Sequence, residues 1–247
     1  YQDFFSDMFS KTSVQIMKEY TSPEQILQIP TERLTQLLKK VSRGRFTETK
    51  AKELKALAAN SFAALLSSEM TTLLIRQMLE QLDLLEKQIA DIEHIIAAQF
   101  AQFDTKLTTI PGIGTTLGAT IFSEIGDINR FDKPKQLIAY AGMDPSVKQS
   151  GNFVGTQSHM SKRGSPYLRR ALWLAAVVAV NHDDLFKYLF QQKMNAGKTY
   201  AQAMGYICHK LLNTIFAILK TGEEYKPVYP PQIDVSKFAD QPINSQL

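Results

Sequence analysis

Apolar residues recur at intervals of three and four along most of the chain, which is the spacing that places them on one face of an α-helix. Start and stop signals delimit these stretches. Thr21-Ser22-Pro23-Glu24 supplies a cap, a first-turn proline and a first-turn acid, and Gly197 and Gly222 close two later stretches. The pattern predicts an all-α fold, with a helix near residues 8–20, further helices that start near Pro23 and at Thr31, and three helices at residues 167–180, 183–195 and 199–220.

Residues 49–103 contain neither glycine nor proline, and their apolar residues fall into heptads. Acidic residues lie outside the heptad seam, so duplex DNA would repel this rod and a protein surface would suit it better. Two interpretations stay open: a helix packed on its own domain, or a coiled-coil arm that pairs two chains. The seam consists of Ile75, Leu82, Ile89 and Ile96 at one core position and Met78, Leu85 and Ile92 at the other.

After the rod, residues 107–121 form two apolar stretches joined by a Gly-x-Gly turn, which predicts a helix-hairpin-helix. Gly112 and Gly114 permit a tight turn and a close backbone approach, and the amides of the following helix point toward its positive end. Such a hairpin suits contact with a phosphate backbone without base reading. The alternative is a plain core hairpin.

Between Pro145 and His182 there are basic residues and no acid. Serine hydroxyls lie in the same loop-rich stretch, and cations that neutralise a phosphate help a hydroxyl to act as a nucleophile. Ser150 and Ser161 are the candidates, and residue types alone do not choose between them. Ser165 before Pro166 is typical of a helix cap. The basic residues are Lys148, Lys162, Arg163, Arg169 and Arg170.

The run 181–184, Asn-His-Asp-Asp, resembles a metal site, but a cap at Asn181 followed by first-turn acids explains it better, and we predict no metal site in the chain. Trp173 and Cys208 are predicted core residues. The single cysteine excludes an intrachain disulfide and favours a reducing compartment. The apolar run 171–180 is too short for the roughly 20 residues that cross a bilayer, so no membrane span is expected.

The net charge of +4 conceals strongly charged segments. Residues 29–60 hold eight basic and three acidic residues, and residues 60–105 hold two basic and seven acidic ones. The positive excess favours a polyanionic partner. The N-terminus has no initiator methionine and no basic signal region, so we expect a fragment of a longer protein.

Four segments together carry a family resemblance: Ile110–Gly114, Phe131–Gly142, Gln149–Gly151 and Met160–Arg170. They resemble the C-terminal part of bacterial insertion-sequence transposases that are guided by a bridge RNA and related to the pilin-gene invertases. The resemblance extends over about residues 1–225. It implies a bacterial cytoplasmic recombinase with DNA and a guide RNA as partners, and the rod adds the expectation of a homodimer or a higher homo-oligomer.

The resemblance also implies a domain plan and residue roles. A helical linker is expected at residues 1–60, a coiled-coil dimerisation helix at 61–106, a transposase domain at 107–225 and a flexible tail at 226–247. The serine of the family's Ser-Gly motif corresponds to Ser150, with Ser161 as the alternative nucleophile. Magnesium is expected in a RuvC-like N-terminal domain that this chain lacks, so the chain needs no cofactor of its own and is expected to be inactive alone. Nucleic-acid contacts are expected at Gly112, Gly114, Lys148, Lys162, Arg163, Arg169 and Arg170.

Two rival hypotheses remain at this stage. The chain could be a non-catalytic module that binds DNA and dimerises, in which hairpin and basic loop only position the duplex. It could also be a repair or junction-binding protein that shares only the hairpin. An upstream reading frame with four suitably placed carboxylates would favour the recombinase.

Overall fold

A computed structural model describes residues 4–61, 68–145, 149–150, 153–154 and 160–229, with the backbone alone at residues 149–150 and 153–154. The predicted all-α class is confirmed, since helices make up most of the described chain and the strands β1 and β2 have two residues each. The α-helices are α1 (Lys11–Glu19), α2 (Pro23–Gln28), α3 (Thr31–Val41), α4 (Glu48–Ala59), α5 (Ser68–Phe100), α6 (Thr115–Ile125), α7 (Pro134–Tyr140), α8 (Pro166–His182), α9 (Asp184–Asn195) and α10 (Tyr200–Thr221); 3₁₀ turns lie at Leu107–Thr109 and Ile128–Arg130, and the strands are β1 (Gln149–Ser150) and β2 (Phe153–Val154).

The chain divides into two compact units, residues 1–91 and residues 92–247, and the division falls inside α5. In the first unit, α2 and α3 pack on α4, and α1 packs on α3. Their apolar faces enclose a small core whose members are spaced for one helical face each. Its fully buried residues are Ile16, Leu34, Leu38 and Ala51. The domain boundaries expected at residues 60, 106 and 225 stay predictions.

The second unit is built around α8, which contacts α6, α9 and α10. Alanines occupy much of the buried face of α8, and small side chains let neighbouring backbones approach closely. Cys208 is fully buried in this core, as expected, whereas Trp173, which was predicted to be a core residue, is half-buried against it. Burial raises the pKa of the Cys208 thiol to about 12, so the thiol stays protonated and unreactive at neutral pH. The buried face of α8 comprises Leu168, Ala171, Leu172, Ala175, Ala176, Ala179 and Val180.

Helix ends follow the sequence signals with one correction. Ser165 caps α8 by accepting from the Leu168 amide, as predicted. The prediction that Asn181 caps the next helix is wrong: Asn181 lies within α8 and its side-chain amide donates to the Val177 carbonyl, one turn earlier. Asp183 takes the capping role and accepts from the amide of Phe186. Helix α8 therefore continues two residues beyond the predicted end.

Helix α5 confirms a long helix across most of the predicted rod. One face of its first half contributes to unit 1, where Leu79 is buried and Asp83 pairs with Lys18. Several seam residues are solvent-exposed within the chain, with Leu85, Ile89 and Ile92 each at least 55% exposed. Residues 62–67, within the predicted rod, and residues 230–247, most of the predicted tail, lie outside the described residues. Among the helices described, none is long and apolar enough to cross a membrane.

Candidate functional site

The residues around positions 142–145 and 160–164 form the base of the candidate loop. After α7 the chain leaves through Gly142, and it returns antiparallel through an isolated bridge between Pro145 and Met160. The Ser161 amide donates to the Asp144 carbonyl at 2.8 Å, and the Lys162 amide donates to the Gly142 carbonyl at 2.9 Å. The two ends of the loop are thus tied together by backbone hydrogen bonds.

Two glycines make this close approach possible. A Cβ at Gly164 would lie 1.8 Å from the carbonyl oxygen of Tyr140, and a Cβ at Gly142 would lie 2.4 Å from the Gly164 nitrogen. Gly142 also has a φ of +65°, in the left-handed region that L side chains rarely adopt. Sequence reading did not assign a role to either glycine, because nothing local shows that two backbone segments 22 residues apart would meet.

Arg169 lies half-buried beneath this loop base. Its Nη1 atom donates to the carbonyl of Ala141 at 3.1 Å and to the carbonyl of Gly164 at 2.8 Å. One guanidinium nitrogen therefore links the segment that enters the loop, at Ala141, to the segment that leaves it, at Gly164. Contact between Arg169 and a phosphate stays a prediction. The hydrogen bonds to the Ala141 and Gly164 carbonyls give this side chain a structural role that a count of charges does not indicate.

The two serines nearest the loop base are already engaged. Ser161 donates through Oγ to Oδ1 of Asp144 at 2.5 Å. Ser165 donates through Oγ to Oε2 of Glu124 at 2.6 Å, while it accepts from the Leu168 amide as the cap. The partners Asp144 and Glu124 were not recognised in the sequence, because they lie 17 and 41 residues away from the serines they bind.

Ser150 lies within the loop that this base supports. Its backbone belongs to β1, which pairs with β2 in antiparallel register, Ser150 opposite Phe153. The structure therefore holds the Ser150 backbone in a short hairpin. The side chain of Ser150, and residues Lys148 and Gly151, lie outside the described part of the chain.

The remaining predicted cations lie on the surface beside the loop base. Lys162, Arg163 and Arg170 are exposed, and none of them forms an ion pair with a carboxylate among the described residues. Lys162 has a φ of +54°, a strained value for a lysine that no sequence signal indicated. These three side chains are free to contact an anion.

The helix-hairpin-helix predicted at residues 107–121 stays a prediction, because only its second helix is a full α-helix in the structure. The segment before the turn forms a single 3₁₀ turn, Leu107–Thr109, in place of a full α-helix. Gly112, with φ +91°, faces α8: a Cβ there would lie 2.4 Å from the Ala175 carbonyl oxygen. Gly112 therefore serves the packing of the turn against α8.

Gly114 lies on the opposite, open side of the turn. A Cβ built there would meet nothing within 4 Å, and Gly114 is the residue before α6. No side chain caps the first amides of α6 within the described residues, and Thr115 and Thr116 are exposed. A helix N-terminus of this kind presents free N–H groups and a partial positive charge to solvent.

Three tertiary contacts of the second unit, made by His209 and Tyr225, escaped sequence reading. The His209 ring nitrogen Nε2 lies 2.8 Å from the Met143 carbonyl oxygen, directly beside the loop base. Tyr225 donates through its hydroxyl to Oδ2 of Asp183, and its amide donates to Oγ1 of Thr109. Burial raises the pKa of Tyr225 above its ordinary value, and the Asp183 carboxylate raises it further. The segment after α10 is thereby fastened to the core.

Comparison with known proteins identifies the segment that carries this loop. Residues 104–191 match the family described as the transposase IS116/IS110/IS902 family. The insertion element IS900 uncharacterized 42 kDa protein of Mycobacterium paratuberculosis is 23% identical over 221 residues, which are 88% of this chain and 55% of that protein. The pilin gene-inverting protein of Moraxella bovis is 33% identical over 120 residues, which are 48% of this chain and 37% of that protein.

A third relative is the insertion element IS110 uncharacterized 43.6 kDa protein of Streptomyces coelicolor, 28% identical over 130 residues, or 53% of this chain and 32% of that protein. The chain thus spans between about a third and just over half of the length of these relatives. The predicted similarity to insertion-sequence transposases and pilin-gene invertases is confirmed. Guidance by a bridge RNA and the RuvC-like domain stay predictions.

Proposed function

Residues 104–191 carry a transposase domain of the IS116/IS110/IS902 family, and from that premise we propose that the chain is the strand-exchange part of a DNA recombinase, with Ser150 as its nucleophile. The observation that carries the choice of serine is the engagement of Ser161. Its hydroxyl hydrogen is donated to Asp144, at the base of the loop. Ser161 thus fastens the loop ends, whereas Ser150 lies in the hairpin between them.

The proposed chemistry is a phosphoryl transfer through the Ser150 hydroxyl. The oxygen attacks a DNA phosphodiester, the hydroxyl proton leaves to a base or to water, and the departing DNA oxygen takes up a proton as its bond to phosphorus breaks. A hydroxyl of a second strand then attacks the phosphoserine, which joins the strands and restores the serine. Lys162, Arg163 and Arg170 are exposed and supply positive charge for the phosphate and the developing oxyanion.

The DNA backbone is proposed to rest on the N-terminus of α6. This end is open, and no described side chain caps it. Gly114 is the residue before the helix, and the absence of a Cβ there leaves room for a phosphate. Contacts of this type position DNA without reading its sequence. Sequence selection is therefore proposed to come from a partner, and the resemblance implies a structured guide RNA in that role.

Pairing of two chains is proposed to occur through α5. Its exposed seam residues, among them Leu85, Ile89 and Ile92, form an apolar stripe of the kind that a second helix covers. A homodimer, or a higher oligomer built from such pairs, would bring two loops to two DNA strands.

Magnesium is proposed to act outside this chain, in a RuvC-like domain of a longer protein. None of the carboxylates described here is assigned to it. Within the described residues, no three His, Cys, Asp or Glu side chains form a group that could hold a metal ion. The catalytic steps derived above use only the serine and the cations of this chain.

Trapping of a covalent protein–DNA adduct under denaturing conditions tests the proposal. On the full-length protein, Ser150→Ala is expected to abolish the adduct and strand exchange while DNA affinity stays within about twofold, because the hydroxyl is lost but no charge is. Ser161→Ala is expected to retain the adduct at a reduced rate. An adduct with Ser150→Ala and none with Ser161→Ala would assign the nucleophile to Ser161. Binding with no adduct in the wild type would favour a non-catalytic DNA-binding module.

A further inference from the structure

The first unit has a basic surface that takes no part in the proposed strand exchange. Residues 29–60 carry eight basic and three acidic residues, and part of this excess is concentrated at the turn between α3 and α4. Arg43 and Arg45 are exposed there, and neither forms an ion pair with a carboxylate among the described residues. The turn therefore presents uncompensated positive charge to solvent.

Local hydrogen bonds give this turn a fixed shape. The Gly44 amide donates to the Lys39 carbonyl at 2.8 Å, and the Phe46 amide donates to Oγ of the buried Ser42 at 2.9 Å. The Nε atom of Arg45 donates to the Ser42 carbonyl at 3.3 Å. Only Nε of this guanidinium has a partner within the described chain, so its terminal nitrogens remain available to a ligand.

A cavity of about 280 Å³ opens beside the turn. Its apolar wall includes the rings of Phe4 and Phe46, whose centroids are 5.9 Å apart in an edge-to-face arrangement. Ser6, Thr12 and Arg45 line the same cavity. The volume lies just below the roughly 300–1,000 Å³ of small-molecule pockets, which suits one compact planar group.

Charge at the cavity is positive on balance. Lys50 lines the cavity with its Nζ 4.9 Å from the Phe4 centroid, but it is paired with Glu53 at 2.7 Å. No carboxylate is among the lining residues described, so Arg45 is the cation there without a carboxylate partner. An anionic ligand with an aromatic part matches this combination of charge, rings and hydroxyl donors.

We propose that this cavity binds a single unstacked nucleotide of a nucleic-acid strand, with the base against the half-buried ring of Phe46 and the phosphate on Arg45. Unpaired bases are bound in proteins by aromatic rings and arginine, and their edges hydrogen-bond to polar side chains. Arg43, next to the cavity in sequence, would hold the adjoining phosphate. The nucleotide could belong to an RNA loop or to single-stranded DNA, since both have the same base and phosphate chemistry.

The backbone at Arg43 supports a role for its side chain. Arg43 has a φ of +54°, a backbone conformation in which glycine or asparagine is better tolerated than arginine. Arg43→Asn is therefore expected to fold at least as stably as the wild type, and to bind the probe more weakly. If the role of Arg43 were only structural, Arg43→Asn would bind the probe as well as the wild type does, with unchanged or higher stability.

Photo-crosslinking locates the site. The probes are 12-nucleotide single strands of RNA and of DNA that carry 5-iodouracil, and a fully paired DNA hairpin with the same label. Irradiation is expected to attach the single-stranded probes to the peptide that contains Phe46, and the hairpin far less. Phe46→Leu, which keeps an apolar side chain in place, is expected to reduce this crosslink at least fivefold. Preference for one strand type identifies the source of the nucleotide.

The matched control is Arg33→Gln, which removes the same charge near the start of α3, away from the cavity. Arg45→Gln is expected to weaken single-strand binding at least fivefold and Arg33→Gln less than twofold. Equal loss in both variants, or crosslinks confined to residues 160–170, would overturn the proposal.

This inference does not depend on the nucleophile. Adduct formation at Ser150 and crosslinking at Phe46 are measured separately, so either proposal can fail alone. Substitution of Lys162, Arg163 and Arg170 by Gln is expected to leave the Phe46 crosslink in place.

Discussion

Gly164 shows at the scale of one residue how little room the loop base leaves. A methyl group there would lie 1.8 Å from the Tyr140 carbonyl oxygen and within 2.6 Å of two more backbone atoms, Gly142 N and Ala141 C, so no side chain can move aside to relieve the clash. The hydrogen bonds from Arg169 and from the Lys162 amide to this region would be displaced as well.

Gly164→Ala is accordingly expected to destabilise the second unit by about 3 kcal/mol or more, because relief requires backbone movement in a packed core. The single tryptophan, Trp173, lies in this unit, so its fluorescence during urea unfolding measures the effect. Gly205→Ala is the control: this glycine lies inside α10 with nothing within 4 Å of a Cβ, and alanine there should stabilise by about 0.5–1 kcal/mol. Equal stability of Gly164→Ala and wild type would contradict the geometry.

Sequence reading at this scale succeeded where the partner is local. The Ser165 cap binds an amide three residues away, and its motif was readable before Pro166. The bond between Ser161 and Asp144 was not predictable, because it depends on two chain segments that only the fold brings together. For the same reason Arg169 was expected to bind phosphate, while its contacts with Ala141 and Gly164 went unforeseen.

At the scale of an element, α5 has both buried apolar residues and an exposed apolar stripe. Leu79 and Phe100 are each 8% exposed, whereas Leu85 and Ile89 are 55% and 56% exposed. Heptad spacing alone left two interpretations of this helix open, and the exposed middle favours a partner helix. The first arm of the predicted helix-hairpin-helix is shorter than expected for another reason. Pro111 and the turn after it leave the preceding segment room for only a 3₁₀ turn. The spacing of apolar residues in so short a segment does not distinguish a single turn from a longer helix.

Replacement of Leu85 and Ile89 by Lys is expected to convert a dimer into a monomer, because two charges would be buried in each copy of the seam. Light scattering measures the mass of the folded protein. Gln77→Lys with Ala90→Lys adds the same charge at exposed positions of α5 away from the seam and should leave the mass unchanged. A double Leu85/Ile89 variant that is folded and retains its mass would show that the chains pair elsewhere.

At the scale of the whole molecule, the modest net charge of +4 conceals separate basic surfaces. One surrounds the loop base in the second unit, where Lys162, Arg163 and Arg170 are exposed, and another lies at the α3–α4 turn of the first. The all-α class and the existence of these basic segments were readable from composition and periodicity. Their division between two compact units was not, because the division falls within one continuous helix.

Binding of duplex DNA is expected to weaken steeply as salt rises, with a log–log slope of about 0.9 for each phosphate neutralised. Arg170→Gln should lower the slope by about that amount, since its side chain is exposed and unpaired within the described chain. Lys198→Gln, an exposed charge in the turn before α10, is the control and should leave the slope nearly unchanged. Fluorescence anisotropy over a roughly sixfold range of salt, from about 50 to about 300 mM, measures the slope. An unaltered slope in Arg170→Gln would remove this residue from the interface.

The tied base of the candidate loop has a consequence for how the protein can vary. The bridge between Pro145 and Met160 and the bond between Ser161 and Asp144 already hold the loop ends together, so residues added between them do not separate the ends. The entropy of closing a loop grows only with the logarithm of its length, about 0.6 kcal/mol for each doubling. Insertions and deletions within the loop are therefore cheap for the fold, and its length is free to diverge while the anchors stay fixed.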